Sequence, residues 1–69
     1  MTLGQLLEVI SNDTYVQLNR GEPILVEMLL KDYNYKNFYA HREIKNKVKG
    51  RVYFDSDRVE HTCLWINTK

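Results

Sequence analysis

The sequence predicts an α+β domain: a four-stranded antiparallel sheet, made of two β-hairpins, with an N-terminal helix and a short crossover helix on one face. Three observations indicate this class. Apolar residues near the N-terminus recur at helical spacing, and polar and apolar residues alternate in several later segments bounded by turn residues. In residues 43–54 the alternation puts apolar side chains on one side and cations on the other.

Length and composition indicate one folded domain spanning residues 1–69. The hydrophobic fraction is 43% and the charged fraction 28%, which is ordinary for a globular chain. A domain of this size buries only about 60% of its unfolded surface, so the core is small. Self-association is one way in which such a domain gains stability.

The sequence also indicates where in the cell the protein lies and which cofactors it can bind. The sequence has no run of about 18 apolar residues, and its first residues lack a basic leader and a cleavage-like tail, so we expect a cytoplasmic protein that does not enter a membrane. Cys63 is the single cysteine, which excludes an intramolecular disulfide and a cysteine-based zinc site. We expect no cofactor and no bound metal.

The first element is a helix at about residues 2–10. Thr2 and Gln5 have the spacing of a capping box. An amphipathic stripe at i, i+3, i+4 and i+7 follows, formed by Leu3, Leu6, Leu7 and Ile10.

Two strands at 14–19 and 24–31 are predicted to form the first hairpin, around a turn that contains Gly21 and Pro23. Residues 32–42 contain no proline or glycine, although their tyrosines and asparagines are weak helix formers. We expect a short helix at about 36–41 as the crossover, and whether 32–42 is helical stays open.

The second hairpin joins a long strand at 43–54, with Gly50 as a plausible bulge, to a strand at 58–67. Alternation then assigns ten apolar side chains to the face that the helices cover. These are Val16, Leu18, Ile24, Val26, Met28, Leu30, Val52, Phe54, Leu64 and Ile66.

The opposite face of the sheet is predicted to carry a second apolar set, made of Tyr15, Leu25, Leu29, Tyr53, Cys63 and Trp65. Monomers seldom expose a large apolar patch unless it binds something, and Tyr and Trp are enriched at the centres of interfaces. The pattern favours a homodimer that buries this face, or a complex with a host protein. The alternative is that one strand is assigned to the wrong face by one residue.

A row of cations, Lys45, Lys47, Lys49 and Arg51, lies beside this second face. Seven of the ten Lys and Arg residues fall between positions 31 and 51. Three interpretations remain open: a solvated strand edge protected by lysines, a site for an acidic protein or an anionic nucleotide, and a nucleic-acid surface.

Catalytic patterns are weak in this sequence. His61 and Cys63 share a strand face at i and i+2, but no third orienting residue or oxyanion-hole motif accompanies them. Glycine-rich phosphate loops and the GxSxG elbow are absent. Asp55 and Asp57 are explained by turn chemistry. We therefore expect a protein that is not an enzyme.

The opening TLGQLLEVISNDTYVQL resembles the start of small uncharacterised proteins of phages and prophages of Gram-positive bacteria, in which a TLGxLLEVI helix precedes a turn, Asp-Thr and a strand. The segment HREIKNKVKGRVYFDSDRVEHTCLWI is similar in layout to their closing hairpin, which begins near an Arg-Glu pair, here Arg42 and Glu43. The row of cations and the segment DYNYKNFYAHR depart from that pattern. The resemblance implies a mobile-element accessory protein, a class that includes non-catalytic inhibitors of host defence that occlude a host protein or sequester a small signal.

Overall fold

A computed structural model describes residues 1–45 and 48–69. It shows a small α+β fold with one four-stranded sheet and helices on one side. The helices are α1 (Leu3–Val9) and α2 (Val26–Leu30), followed by a π-helical turn (Tyr35–Tyr39). The strands are β1 (Tyr15–Leu18), β2 (Ile24–Leu25), β3 (Lys49–Phe54) and β4 (Glu60–Ile66).

The sheet is mixed, so the prediction of a wholly antiparallel sheet is wrong. The strand order is β2-β1-β4-β3. Both predicted hairpins form, with β1 antiparallel to β2 and β3 antiparallel to β4, but β1 and β4 run parallel at the centre. Parallel neighbours need a long connection, and the segment from β2 through α2, the π-helical turn and β3 supplies it.

Helix α1 confirms the predicted capping box. The Gln5 backbone N–H donates to the Thr2 hydroxyl at 3.2 Å, and the Thr2 N–H donates to the Gln5 side chain at 2.8 Å. The helix packs closely on the chain after the π-helical turn, because the Gly4 N–H donates to the Ala40 carbonyl at 2.8 Å. A Cβ at position 4 would lie 3.0 Å from that oxygen, which explains a glycine inside a helix.

The segment after Ile24 is where the local prediction is wrong. Strand β2 ends at Leu25 and the chain turns into α2, whereas one strand over 24–31 was expected. Helical spacing turns Val26 and Leu29 into the core and leaves Met28 61% exposed. Leu29, expected on the second face, is only 6% exposed and belongs to the core.

The core lies between the helices and one face of the sheet. Its buried members come from every layer of the fold: Leu3, Leu7, Val16, Val26, Leu29, Tyr35 and Ile66. Two residues assigned to this face, Val52 and Phe54, are 58% and 62% exposed. They lie on β3, at the edge of the sheet, beyond the cover that the helices provide.

Of the strand predicted over 43–54, the structure shows a regular strand over Lys49–Phe54, and residues 46 and 47 lie outside the described residues. Glu43 and Ile44 form isolated bridges to Thr2 and Thr68, and regular pairing begins at Lys49. The predicted bulge at Gly50 is wrong, because the β3–β4 register runs through that residue without interruption. The expected short helix in 32–42 is present as the π-helical turn, which the Ala40 N–H closes by donating to the Tyr35 carbonyl.

The corrected position of Leu29 can be tested against its exposed neighbour Met28. Leu29→Ala should lower the free energy of unfolding by about 2–5 kcal/mol, because it removes a buried side chain from the core. Met28→Ala should change it by less than about 0.5 kcal/mol, since that side chain is mostly in solvent. Urea unfolding followed by circular dichroism measures both, and equal losses would contradict the helical assignment.

Candidate partner-binding surface

The face of the sheet opposite the helices brings the predicted aromatic and cationic residues together. The register places Tyr15 beside Cys63 and Cys63 beside Arg51, in one row across three strands. Gln17, Trp65 and Lys49 form the adjacent row, and Tyr53 pairs with His61. We call this set of eight residues the aromatic-basic face: Tyr15, Gln17, Lys49, Arg51, Tyr53, His61, Cys63 and Trp65.

One half of the aromatic-basic face is a cluster of three rings. The Tyr15 ring centroid lies 4.8 Å from those of both Tyr53 and His61, in tilted arrangements. Tilted aromatic pairs at this separation contribute about 0.5–1.5 kcal/mol beyond the area that they bury. All three side chains are half-buried, so the rings form a packed surface with one side open to solvent.

The other half is built on Trp65. The guanidinium carbon of Arg51 lies 3.3 Å from the centroid of the Trp65 ring, which is a close cation–π contact. The indole N–H donates to the Gln17 side-chain oxygen on the neighbouring strand. The indole is therefore held at its edge and covered on one side, so its position on the face is fixed.

Cys63 lies beneath these groups and is 2% exposed, although it does not belong to the helix-side core cluster. Burial raises the pKa of the Cys63 thiol, and the charge of nearby Arg51 opposes that shift in part. A buried thiol with a raised pKa is mostly protonated at neutral pH and is a poor nucleophile. Cys63 therefore acts on this face as a small apolar filler between the aromatic groups.

His61 connects the face to the β3–β4 turn. Its Nε2 lies 2.7 Å from Oδ2 of Asp55, while Oδ1 of Asp55 accepts from the backbone N–H groups of Asp57 and Val59. The hydrogen bond with His61 is the largest of several that hold the pKa of Asp55 below its ordinary value. The turn thus holds the His61 imidazole against the tyrosine rings through its hydrogen bond with Asp55.

The predicted row of cations is only partly assembled here. Lys49 and Arg51 are exposed on the aromatic-basic face. Lys45 lies apart from them, in a cavity of about 330 Å³ that it shares with Asn19, Arg20, Asn67 and Thr68. Lys47 lies outside the described residues.

Of the predicted partner-binding residues, Tyr15, Tyr53, Cys63 and Trp65 lie on this face, and Leu29 does not. Alternation in the sequence places Gln17 on the side of Tyr15 and His61 on the side of Cys63, but it gives no reason to single out either residue as partner-binding. The contact between Arg51 and Trp65 depends on strand register, which alternation alone does not specify.

A larger cavity of about 580 Å³ lies elsewhere, between the β1–β2 turn and the π-helical turn. Its lining is Leu18, Asn19, Gly21, Glu22, Pro23, Ile24 and Tyr39. Within 1–45 and 48–69, we find no group of three His, Cys, Asp or Glu side chains that could hold a metal ion. Over the same residues, no helix combines the length and apolarity that crossing a bilayer requires.

Comparison of the chain with protein-family models, with curated proteins and with solved structures gave no match. The site therefore has to be interpreted from its own chemistry.

Replacing Asp55 by Asn should flatten the acid side of the stability profile. The folded-state pKa of Asp55 lies below its ordinary value of 3.8, so the ionised carboxylate stabilises the fold above that pH. This contribution disappears as the pH falls through the lowered pKa. Urea unfolding between neutral and acid pH should show a steeper loss of stability for the wild type than for Asp55→Asn.

Asp57→Asn is the matched control, because it removes the same formal charge from the same turn and leaves the Asp55 carboxylate in place. Its acid profile should follow that of the wild type. Parallel profiles for the wild type and Asp55→Asn would contradict the assigned role of Asp55.

Proposed function

We propose that this chain is a non-enzymatic binding protein that engages a partner protein through the aromatic-basic face. The observation that carries the proposal is the assembly of Trp65, Arg51 and the Tyr15–Tyr53–His61 ring cluster on a sheet face that the helices leave uncovered. Tyr, Trp and Arg are the residues that most often dominate the binding energy of protein interfaces.

The state of the aromatic rings favours a protein partner over a nucleic acid. Proteins that bind single strands offer free ring faces on which bases stack. Here Arg51 already covers one face of Trp65, and Tyr15 packs against both Tyr53 and His61. A pre-packed, half-buried surface of this kind suits docking against another protein surface, because little side-chain freedom remains to be lost on binding.

Charge indicates the chemistry of the partner. Lys49 and Arg51 are the exposed cations of the aromatic-basic face, whereas Asp55, at its end, is engaged with His61 and the turn. A partner with an acidic rim around an apolar centre complements this arrangement. The resemblance of residues 2–18 to phage and prophage proteins supports a specific role, in which the chain is an accessory protein in the host cytoplasm that occludes a host defence protein.

Simultaneous replacement of Trp65 and Tyr53 by Ala should abolish capture of the partner. Tagged wild type and the double variant are used to isolate binding proteins from a Gram-positive host lysate, and the protein retained by the wild type is purified and titrated directly. We expect the double variant to bind at least thirtyfold more weakly, which corresponds to about 2 kcal/mol for loss of interface anchors.

Phe38→Ala is the control, because Phe38 is an exposed aromatic residue of the π-helical turn, outside the aromatic-basic face. It should bind as the wild type does. Equal affinity of the wild type and the double variant, with unchanged circular dichroism, would remove the proposal.

The second candidate is a binder of nucleic acid or of an anionic nucleotide, through Lys45, Lys47, Lys49 and Arg51. The observation in its favour is that Lys49 and Arg51 are both exposed beside Trp65. This function requires affinity for a fluorescent single-stranded oligonucleotide that falls steeply as salt is raised. Anisotropy titrations at low and moderate salt measure it, and under our first proposal neither titration should show saturable binding.

A further inference from the structure

The free edge of β3 is the longest unpaired strand edge of the described sheet. The other edge strand, β2, has only two residues, whereas β3 has six. Every residue of β3 except Tyr53 is exposed. A long uncovered edge presents backbone donors and acceptors to any other chain, and natural proteins usually block or pair such edges.

The hairpin fixes which residues of β3 face this edge. At its closed end, the Asp55 N–H donates to the Val59 carbonyl at 3.1 Å, so the backbone groups of Asp55 point towards β4. Backbone direction alternates along an antiparallel strand. Gly50, Val52 and Phe54 therefore direct their N–H and carbonyl groups outward.

At these three residues, the helix side of the sheet has an apolar surface that no other part of the described structure covers. Val52 and Phe54 are both more than half exposed. A Cβ placed on Gly50 would meet no atom within 4 Å, so there is open space above that residue. The edge thus has the exposed ring of Phe54 at one end and, at the other end, the open space next to Gly50.

We propose that a second copy of this chain pairs antiparallel along β3, with the two-fold axis at Val52, to form one continuous sheet. In this register Val52 lies opposite the Val52 of the second copy, and Gly50 lies opposite Phe54. On the other face, Lys49 lies opposite Asp55 and Arg51 opposite Tyr53. The Phe54 ring of each copy then covers the open space at Gly50 of the other copy. The charged residues are also matched, because Lys49 lies opposite a carboxylate and Arg51 lies opposite an aromatic ring.

Neighbouring registers that preserve the faces are less complementary. An axis at Arg51 would place two guanidinium groups directly opposite each other, which is destabilising. An axis at Tyr53 would set Gly50 opposite Ser56 in the β3–β4 turn, so the outward-facing backbone groups of Gly50 would have no strand residue to pair with. Only the axis at Val52 pairs all three outward-facing residues of each β3 strand with their counterparts.

This edge-to-edge dimer differs from the face-to-face homodimer expected from the sequence. It leaves both aromatic-basic faces free and places them side by side on the same side of the joined sheet. It does not depend on the proposed function, because Trp65 lies on β4, away from the β3 edge. Trp65→Ala alone leaves Tyr53 and every other residue of the β3 edge in place, so this variant should bind the partner protein more weakly while the dimer persists.

Val52→Lys tests the interface, because it puts two like charges at the two-fold axis. Thr62→Lys is the control: Thr62 is the exposed cross-strand neighbour of Val52 but belongs to the interior strand β4. Light scattering over a range of concentrations should give a dimer for the wild type and for Thr62→Lys, and half that mass for Val52→Lys. A monomeric wild type, a dimeric Val52→Lys or a monomeric Thr62→Lys would overturn the proposal.

Cysteine substitution tests the register in the full chain. Directly opposed residues of antiparallel strands have Cα atoms about 4.5–5.5 Å apart, within the span of a disulfide. Under mild oxidation Val52→Cys should form a covalent dimer, whereas Arg51→Cys and Tyr53→Cys should not. The wild type should also remain uncrosslinked, because Cys63 is buried. Preferential crosslinking at position 51 or 53 would overturn the register.

Discussion

The parallel pairing of β1 with β4 at the centre of the sheet is the constraint on which both surfaces depend. It sets Val16 beside Leu64 and Leu18 beside Ile66 on the helix side. The alternate residues of the same two strands set Tyr15 beside Cys63 and Gln17 beside Trp65 on the other side. A slip of one residue would exchange the two sets, so the buried apolar core also fixes the register of the aromatic-basic face.

Local sequence signals predicted the elements whose pattern allows one interpretation. The capping box and apolar stripe specified α1, and strict alternation specified β1 and β4. The strand prediction for the residues after Ile24 was wrong, because a five-residue segment such as VEMLL fits both the period of a strand and the period of a helix. Secondary-structure propensity does not distinguish a strand from a helix here. The helix forms because it packs Val26 and Leu29 into the core against α1 and the sheet.

The sequence does not reveal which strands lie next to each other in the sheet. Alternation assigns side chains to faces but does not say which strands lie together or in which direction, so the parallel pair was missed. Tyr15, Tyr53 and Trp65 were nevertheless placed on the correct face, because the period of two holds whichever strand lies alongside. The contact of Arg51 with Trp65 and the anchoring of His61 by Asp55 require register and turn geometry, which appear only in three dimensions.

Trp65 is the single tryptophan of the chain, and its indole lies under a guanidinium with its N–H bonded to Gln17. Fluorescence excited at wavelengths that tryptophan absorbs and tyrosine does not therefore originates at one position on the aromatic-basic face, although the chain also has five tyrosines. Emission wavelength and quenching by small solutes will report events at that surface and not an average over several chromophores. The molecule carries its own optical reporter, so docking can be followed at this surface without attaching a dye.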